Sequence, residues 1–471
     1  MTTTKSLVII NIVGLTPALL GKHTPNLNRL INEGFCCPLG EVFPAVTTTA
    51  QASMLTGRQP NQHGIVGNGW YLRDIAEVAF WKQCNRLVQG DKVWDTLKRE
   101  DPTAKVSQLF WWYNMYADVD FSITPRPHYP ADGRKIPDLY SSPKGLHQQI
   151  EEKLGAFPFF SFWGPKSDIK SSEWIAQAAK LEFDMHQPNL QTVYLPHLDY
   201  NMQKLGPDHP DIWQDVAAID QVAGDLIDHL KARGAEVLVV SEYGINPVSQ
   251  PVHINRVLRE HGYLEVRDSL SWELLDPGAS AAFAVADHQV AHIYIKDPSK
   301  LNELQRLLEK QPGIAQVLNR EQQAALHIDH ERSGELIAIA APDAWFTYYY
   351  WLDEAKAPDF ANTVDIHRKP GYDPCELFVD PSIKMPMLKV VSRLIQKKLG
   401  FRMLMDVIPT DATLVKGSHG RLASSSEHGA ILIGPKTIAA DHYQMTQVRE
   451  LIEQLTMVGK IATASPSPVL A

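Results

Sequence analysis

The sequence predicts an α/β protein built on a doubly wound, mostly parallel sheet, with a smaller α+β insertion in its second half. Two observations carry this. Residues 7–13 and 235–241 are near-continuous apolar runs, the pattern of strands buried on both faces. Between such runs lie amphipathic segments of helical period, so that strand and helix alternate along the chain. Where the runs end, polar side chains follow at once, and in open α/β sheets that edge is where ligands bind.

At 471 residues, 44% of them hydrophobic and 21% charged, the chain can bury a large globular core. Its net charge of −9, from 45 basic and 54 acidic residues, speaks against a nucleic-acid polymer as partner. A small phosphate-bearing substrate stays open, because that needs only local positive charge. The four cysteines, Cys36, Cys37, Cys84 and Cys375, are too scattered for a disulfide framework or a zinc knuckle. They fit a reducing compartment. No apolar run is long enough to span a bilayer and the N-terminus lacks a signal-peptide pattern. The expectation is a soluble, cytoplasmic protein with no membrane partner.

Taken in order, residues 7–13 form the first strand, with Asn11 near its carboxyl end. That amide is either a site residue or a cap for the following loop. Thr16-Pro17 opens a helix, and 24–31 is an amphipathic helix with Pro at its first position. The stretch 43–57, Phe-Pro-Ala-Val-Thr-Thr-Thr-Ala-Gln-Ala-Ser-Met-Leu-Thr-Gly, is a loop turning into a helix stopped by Gly57. Its three threonines sit at the helix start, where free N–H groups and the dipole favour anions. Thr47 is there a candidate nucleophile if a metal or base removes its proton; equally, Thr47, Thr48 or Thr49 is an N-cap. Residues 56–68, rich in turn formers, are a loop at the same sheet edge.

A helix over 92–99 and a strand over 105–110 follow. Residues 111–165, rich in Pro and aromatics, read as a long irregular excursion or helical hairpin near the pocket mouth. Trp111, Trp112 and Tyr113 either stack on a substrate ring or edge the core. Then come a helix (171–180), a strand (191–196), a helix (211–233) and a strand (235–241). The α+β insertion comprises strands at 291–295, 314–318 and 334–340 and a helix at 299–310. Residues 343–386 are a long loop, 430–435 the closing strand, 443–458 a last helix and 461–471 a loose tail. The expected division is a core of 1–245 and 405–471 around an insertion of 246–404.

The polar clusters at strand ends, Asn11, the threonine stretch, Asp199 and Glu242-Tyr243, with His419 beside the last strand, occur in an order that resembles the alkaline phosphatase superfamily. Within it the chain is most similar to the nucleotide pyrophosphatase/type I phosphodiesterase branch and its phosphonoacetate hydrolase relatives. Phe43-Pro44, Thr47, Leu55-Thr56-Gly57, Pro60, His63-Gly64-Ile65 and Asn68 match that branch's nucleophile loop, and Gly417-Ser418-His419-Gly420 its C-terminal ligand motif. The resemblance implies two metal ions, usually zinc, about 4 Å apart that activate a Thr and clamp phosphoryl oxygens. By position, one ion would fall to Asn11, Thr47, Glu242 and Tyr243, and the other to Asp199, Gln203 and His419.

Four of those positions depart from the family pattern. Asn11 stands for Asp, Gln203 for His, Glu242 for Asp and Tyr243 for His. Neutral amide oxygens suit hard ions better than zinc, and a phenol ligates poorly unless ionised. The expectation is therefore one divalent ion, Zn²⁺ or Mg²⁺, Mn²⁺ or Ca²⁺, on Asp199, Glu242 and His419, or none. Alternative donors are Asp365 with His367 and Asp373, and Asp287-His288 with His292. Asn68, Arg368 and Lys369 would meet the substrate's phosphate. The implied function is hydrolysis of a phosphodiester, pyrophosphate, phosphate or phosphonate through Thr47. The alternatives are a metal-poor ligand-binding protein and a lyase or transferase on the same fold.

Overall fold

The structure, a computed structural model, describes residues 5–130 and 135–457. Nine strands form the central sheet in the order Tyr443–Gln444, Phe35–Gly40, Ile431–Gly434, Glu236–Val240, Leu7–Ile12, Leu190–Leu195, Val106–Leu109, Phe121–Pro125 and Leu139–Ser142. Five neighbours, from Glu236–Val240 to Phe121–Pro125, are parallel, while Ile431–Gly434 and Leu139–Ser142 run against them. Leu7–Ile12 is central, paired on both sides and buried at every position, which is why it reads as one apolar run.

Strand pleating sorts its side chains onto two faces. Val8, Ile10 and Ile12 pack under the helices Lys170–His186 and Ile212–Lys231, with Ile175, Ala179, Ile219 and Leu226. Leu7 and Ile9 face the helices Thr47–Thr56, Val93–Glu100 and Val448–Thr456, with Met54, Trp94 and Leu451. Asn11 shares the parity of Leu7 and Ile9, so it points to the face that carries the threonine helix. A four-stranded antiparallel sheet, Ala282–Asp287, Val290–Ile295, Leu336–Ala340 and Ile314–Leu318, has its own core. It joins the threonine region through one shared apolar cluster: Phe43, Ala52, Ile65 and Val66 against Val290, Ile337 and Ile339.

Several expectations change. Residues 111–165 are not merely irregular, because Phe121–Pro125 and Leu139–Ser142 extend the central sheet and Leu146–Leu154 is a helix. Strands of four or five residues at a sheet edge are too short to show a period. Beyond Thr16 stands only a single turn, Pro17–Leu19. The strand Ala282–Asp287 and a helix over Pro386–Lys398 have no counterpart among the predicted elements. Tyr443–Gln444 is an edge strand rather than the start of the last helix. The tail at 461–471, like Val458, lies outside the described residues.

The segment after Glu236–Val240 is held by close packing at Gly244. A Cβ there would lie 1.8 Å from the His428 carbonyl oxygen and 3.1 Å from Thr16 Cγ2. Gly244→Ala should therefore cost about 2–3 kcal/mol of stability, read as a lower midpoint in urea. An unchanged midpoint would mean that this backbone gives way freely.

Candidate active site

The end of each central strand delivers one part of the site. Thr47 is the first residue of its helix, behind an extended N-cap at Val46 (φ −132°, ψ 154°), and no threonine hydroxyl caps it. The capping alternative therefore fails. Thr48 spends its hydroxyl on the Gly67 carbonyl at 2.8 Å, and its N–H donates to Asn68 Oδ1 at 3.1 Å. Thr47 Oγ1 instead lies 3.0 Å from the Tyr243 hydroxyl.

Glu242 sits beneath it, with no exposed surface. Its Oε1 accepts from Asn11 Nδ2 and, at 2.7 Å, from Gln51 Nε2. Gln51 Oε1 in turn accepts the Trp112 N–H at 2.7 Å, which fixes the amide's orientation. Burial pushes the Glu242 carboxyl up to about 8, against the lowering effect of bonds from Gln51, Asn11 and the Thr47 hydroxyl. Its Oε2 and Asn11 Oδ1 have no other partner. The Tyr243 ring stacks on His419, with centroids 3.7 Å apart, and burial holds its phenol well above the usual range. Tyr243 is a neutral phenol.

The other half repeats the logic. Asp199 opens the helix His197–Leu205, and Gln203, one turn on, donates Nε2 to Asp199 Oδ2 at 2.7 Å. Gln203 Oε1 accepts from the Tyr372 hydroxyl at 2.8 Å. Burial pushes Asp199 up to about 7, partly offset by Gln203. His419 Nδ1 donates to the Ala45 carbonyl at 2.9 Å, so its Nε2 is bare and lies 4.0 Å from Asp199 Oδ1. His288 lies between the rings of Tyr372 and His419, at 3.5 and 3.7 Å. It is anchored by Asp287, whose carboxylate also takes the N–H and side-chain amide of Asn68 at 2.7 and 3.1 Å.

These groups floor a cavity of about 100 Å³ that Thr47, Asp199, Tyr243, His288 and His419 line. Trp81, Trp112, Trp163 and Tyr372 wall it, and Arg126 and Lys135 stand among its lining cations. The predicted residues divide. Thr47, Asn11, Glu242, Asp199, Gln203 and His419 come together, and Asn68 supports the loop from behind. Trp111 and Tyr113 are core side chains, not stacking platforms, because left-handed turns at Phe110 and Tyr113 send only Trp112 into the cavity. Lys369 is buried and already paired with Asp373 and Glu376, both at 2.8 Å. Arg368 Nη2 donates to both carboxylate oxygens of Asp359 at 2.9 and 3.1 Å. Neither cation lines the cavity.

His367 lines the cavity, with burial pushing it down to about 4. Asp365 does not line it, and Asp373 is held by Lys369, so that alternative donor set does not assemble. His292 is spent on the Val66 carbonyl, which leaves Asp287-His288 without it. Gln51 is a site residue with no motif to mark it, its one sign in the sequence being a position four residues after Thr47 on one helix face. His288, an alternative donor by sequence, does enter the cavity, whereas Tyr372 gave no local sign.

The donor set does not fit the dinuclear centre. Two amides and a phenol occupy ligand positions, and both carboxyls are engaged by amide N–H groups. Among the described residues no group of three or more His, Cys, Asp or Glu side chains could hold a metal ion.

A family model described as type I phosphodiesterase/nucleotide pyrophosphatase matches residues 7–373. Over 256 residues the chain is 25% identical to an uncharacterized pyrophosphatase/phosphodiesterase of Schizosaccharomyces pombe, covering 52% of this chain and 45% of that protein. It is 22% identical over 258 residues to ectonucleotide pyrophosphatase/phosphodiesterase family member 1 of Mus musculus, covering 52% and 24%. The chain thus spans less than half the length of these curated relatives. Murine ectonucleotide pyrophosphatase/phosphodiesterase 5 superposes with a TM-score of 0.58 at 16% identity, over 96% of this chain and 95% of that one. Phosphonoacetate hydrolase of Sinorhizobium meliloti 1021, in complex with phosphonoformate, gives 0.59 at 15% identity, over 97% and 96%. These two share the fold.

Asp199 and Glu242 hold their protons more tightly folded than unfolded, so ionising them opposes folding. Their contribution to stability is full below about pH 4 and is lost as pH rises through about 7 to 8. Thermal unfolding followed from pH 5 to pH 8.5 should show Tm falling, and Asp199→Asn with Glu242→Gln should flatten that fall. An equally steep decline in the double variant would place the protons elsewhere.

Proposed function

Because this chain belongs to the type I phosphodiesterase/nucleotide pyrophosphatase family, we propose that it hydrolyses a small phosphodiester, pyrophosphate, phosphate ester or phosphonate through Thr47. One observation carries the reading: the Thr47 hydroxyl is held at a helix N-terminus between the Glu242 carboxyl and the Tyr243 hydroxyl, on the cavity floor. A buried carboxylate beside a hydroxyl is a general base in place, and a neutral phenol at 3.0 Å is a donor for a developing phosphoryl charge. Thr47 Oγ1 attacks phosphorus as its proton passes to the Glu242 carboxylate, and the bond from phosphorus to the leaving group, P–O in an ester and P–C in a phosphonate, breaks with its electron pair going to the leaving group, which takes a proton from solvent. Water then attacks the phosphothreonine, the P–Oγ1 bond breaks, Thr47 regains a proton from Glu242, and the proton of the attacking water goes to solvent. The aromatic walls suit a ligand with a ring or an apolar arm. Support comes from a related fold: an inactive form of the murine protein was solved in complex with AMP. A cytoplasmic location accords with the four unpaired cysteines.

A second reading keeps one divalent ion, Mg²⁺, Mn²⁺, Ca²⁺ or Zn²⁺, between Asp199 and His419. The unpartnered Asp199 Oδ1 and the bare His419 Nε2 that face each other favour it.

Hydrolysis of bis(p-nitrophenyl) phosphate by chelator-treated protein separates these readings. The first expects turnover without metal, lowered about a thousandfold or more in Thr47→Ala. The second expects turnover only after an ion is restored. Since the base must be ionised, log kcat/KM should climb with pH and level off above about 8, and Glu242→Gln should remove the climb. Undiminished turnover in Thr47→Ala would end the nucleophile role. Ligand binding without turnover under any condition would leave a binding protein.

A further inference from the structure

The helix Pro386–Lys398 is docked with Lys389 and Arg393 inward and its apolar side outward. None of its residues is buried. Lys389 Nζ reaches the Asp406 carboxylate at 3.1 Å, and Arg393 forks onto the same group at 2.9 and 3.0 Å. At about 100° per residue, Met387, Leu388, Val391, Leu394 and Ile395 fall together on the side away from Lys389 and Arg393. They are 46–64% exposed. Met385 before the helix and Leu399 and Phe401 after it continue the patch, at 62%, 69% and 65%. A contiguous apolar face of this kind marks an interaction surface.

Charge identifies what covers it. Lys389 and Arg393 are spent on Asp406, but Lys384, Lys397 and Lys398 also fall within 384–402, which contains no acidic residue, in a chain of net charge −9. We propose that this helix is a membrane-surface element that lies in the headgroup region of an anionic bilayer, its apolar side chains down and its lysines at the phosphates. A single convex helix presents side-chain tips to a plane. A 13-residue helix is only about 20 Å long, shorter than the hydrocarbon core, so it lies in the plane rather than crossing. Among the described residues no helix is long and apolar enough to cross a membrane. The expectation of no membrane partner came from a search for spans, and an interfacial helix is not one.

Flotation of the full chain with vesicles of phosphatidylcholine alone, or with one third phosphatidylserine, tests this without recourse to turnover. Anionic vesicles should carry at least about tenfold more protein than neutral ones, and high salt should release it. Leu388→Gln with Ile395→Gln, and separately Lys397→Glu with Lys398→Glu, should each lower the floated fraction about tenfold, with Tm unchanged. Protein that stays unfloated with both vesicles overturns the proposal and leaves the face to a protein partner. Flotation unaffected by both pairs of substitutions overturns it as well. So does a dimer in sedimentation that Leu388→Gln with Ile395→Gln dissolves, with no flotation.

Discussion

The site depends on how two buried carboxyls are held by amides. The amide N–H groups are those of Asn11 and Gln51 on Glu242, and of Gln203 on Asp199. An amide dipole stabilises a carboxylate far less than a full positive charge does, so desolvation wins and both groups hold their protons into the neutral range. For Glu242 the displacement from 4.5 to about 8 corresponds to roughly 5 kcal/mol against ionisation. The same weak compensation that would make the pocket a poor metal cage is what holds a proton on Glu242 up to about pH 8. Each of the four departures from the family pattern serves this arrangement. Asn11 and Gln203 supply the N–H groups, Glu242 is the longer carboxyl that they address, and Tyr243 supplies a hydroxyl to Thr47.

The central sheet was legible because its strands are buried on both faces and so lose all periodicity except apolarity. The Leu7–Ile12, Leu190–Leu195 and Glu236–Val240 strands announced themselves in this way. Edge strands such as Leu139–Ser142, with one buried residue in four, carry almost no signal. Helix-start chemistry alone left Thr47 an N-cap as readily as a nucleophile, and it was the resemblance carried by the order of Asn11, Thr47, Asp199, Glu242 and His419 that grouped these residues. Neighbours contributed by side-chain direction were not legible. Whether Trp111, Trp112 or Tyr113 enters the cavity hinges on the left-handed conformation at two flanking residues, which no propensity encodes for a Phe or a Tyr. His288 and Tyr372 belong to an insertion whose placement against the nucleophile loop follows from tertiary packing alone.

Charge and shape were read with unequal success. Lys369, in a run of basic residues, looked like a phosphate ligand but is the buried counterion of two acids. Six basic residues in the 384–402 segment vanish in a chain whose total is negative, and only their placement beside an outward apolar face gives them meaning.

The apolar seam between the threonine region and the insertion sheet has a consequence in time. Asn68 receives its Asp287 partner only after 219 further residues, and Ala45 its His419 only after 374. At synthesis rates of about 5–20 residues per second, the loop bearing Thr47 waits roughly 20–70 s on the ribosome for the groups that close around it. Through that interval Phe43, Ile65 and Val66 have no cover from Ile337 and Ile339. The nascent chain is then an open half-pocket with an apolar rim, and a chain halted before residue 340 would carry Thr47 without the pocket that closes around it.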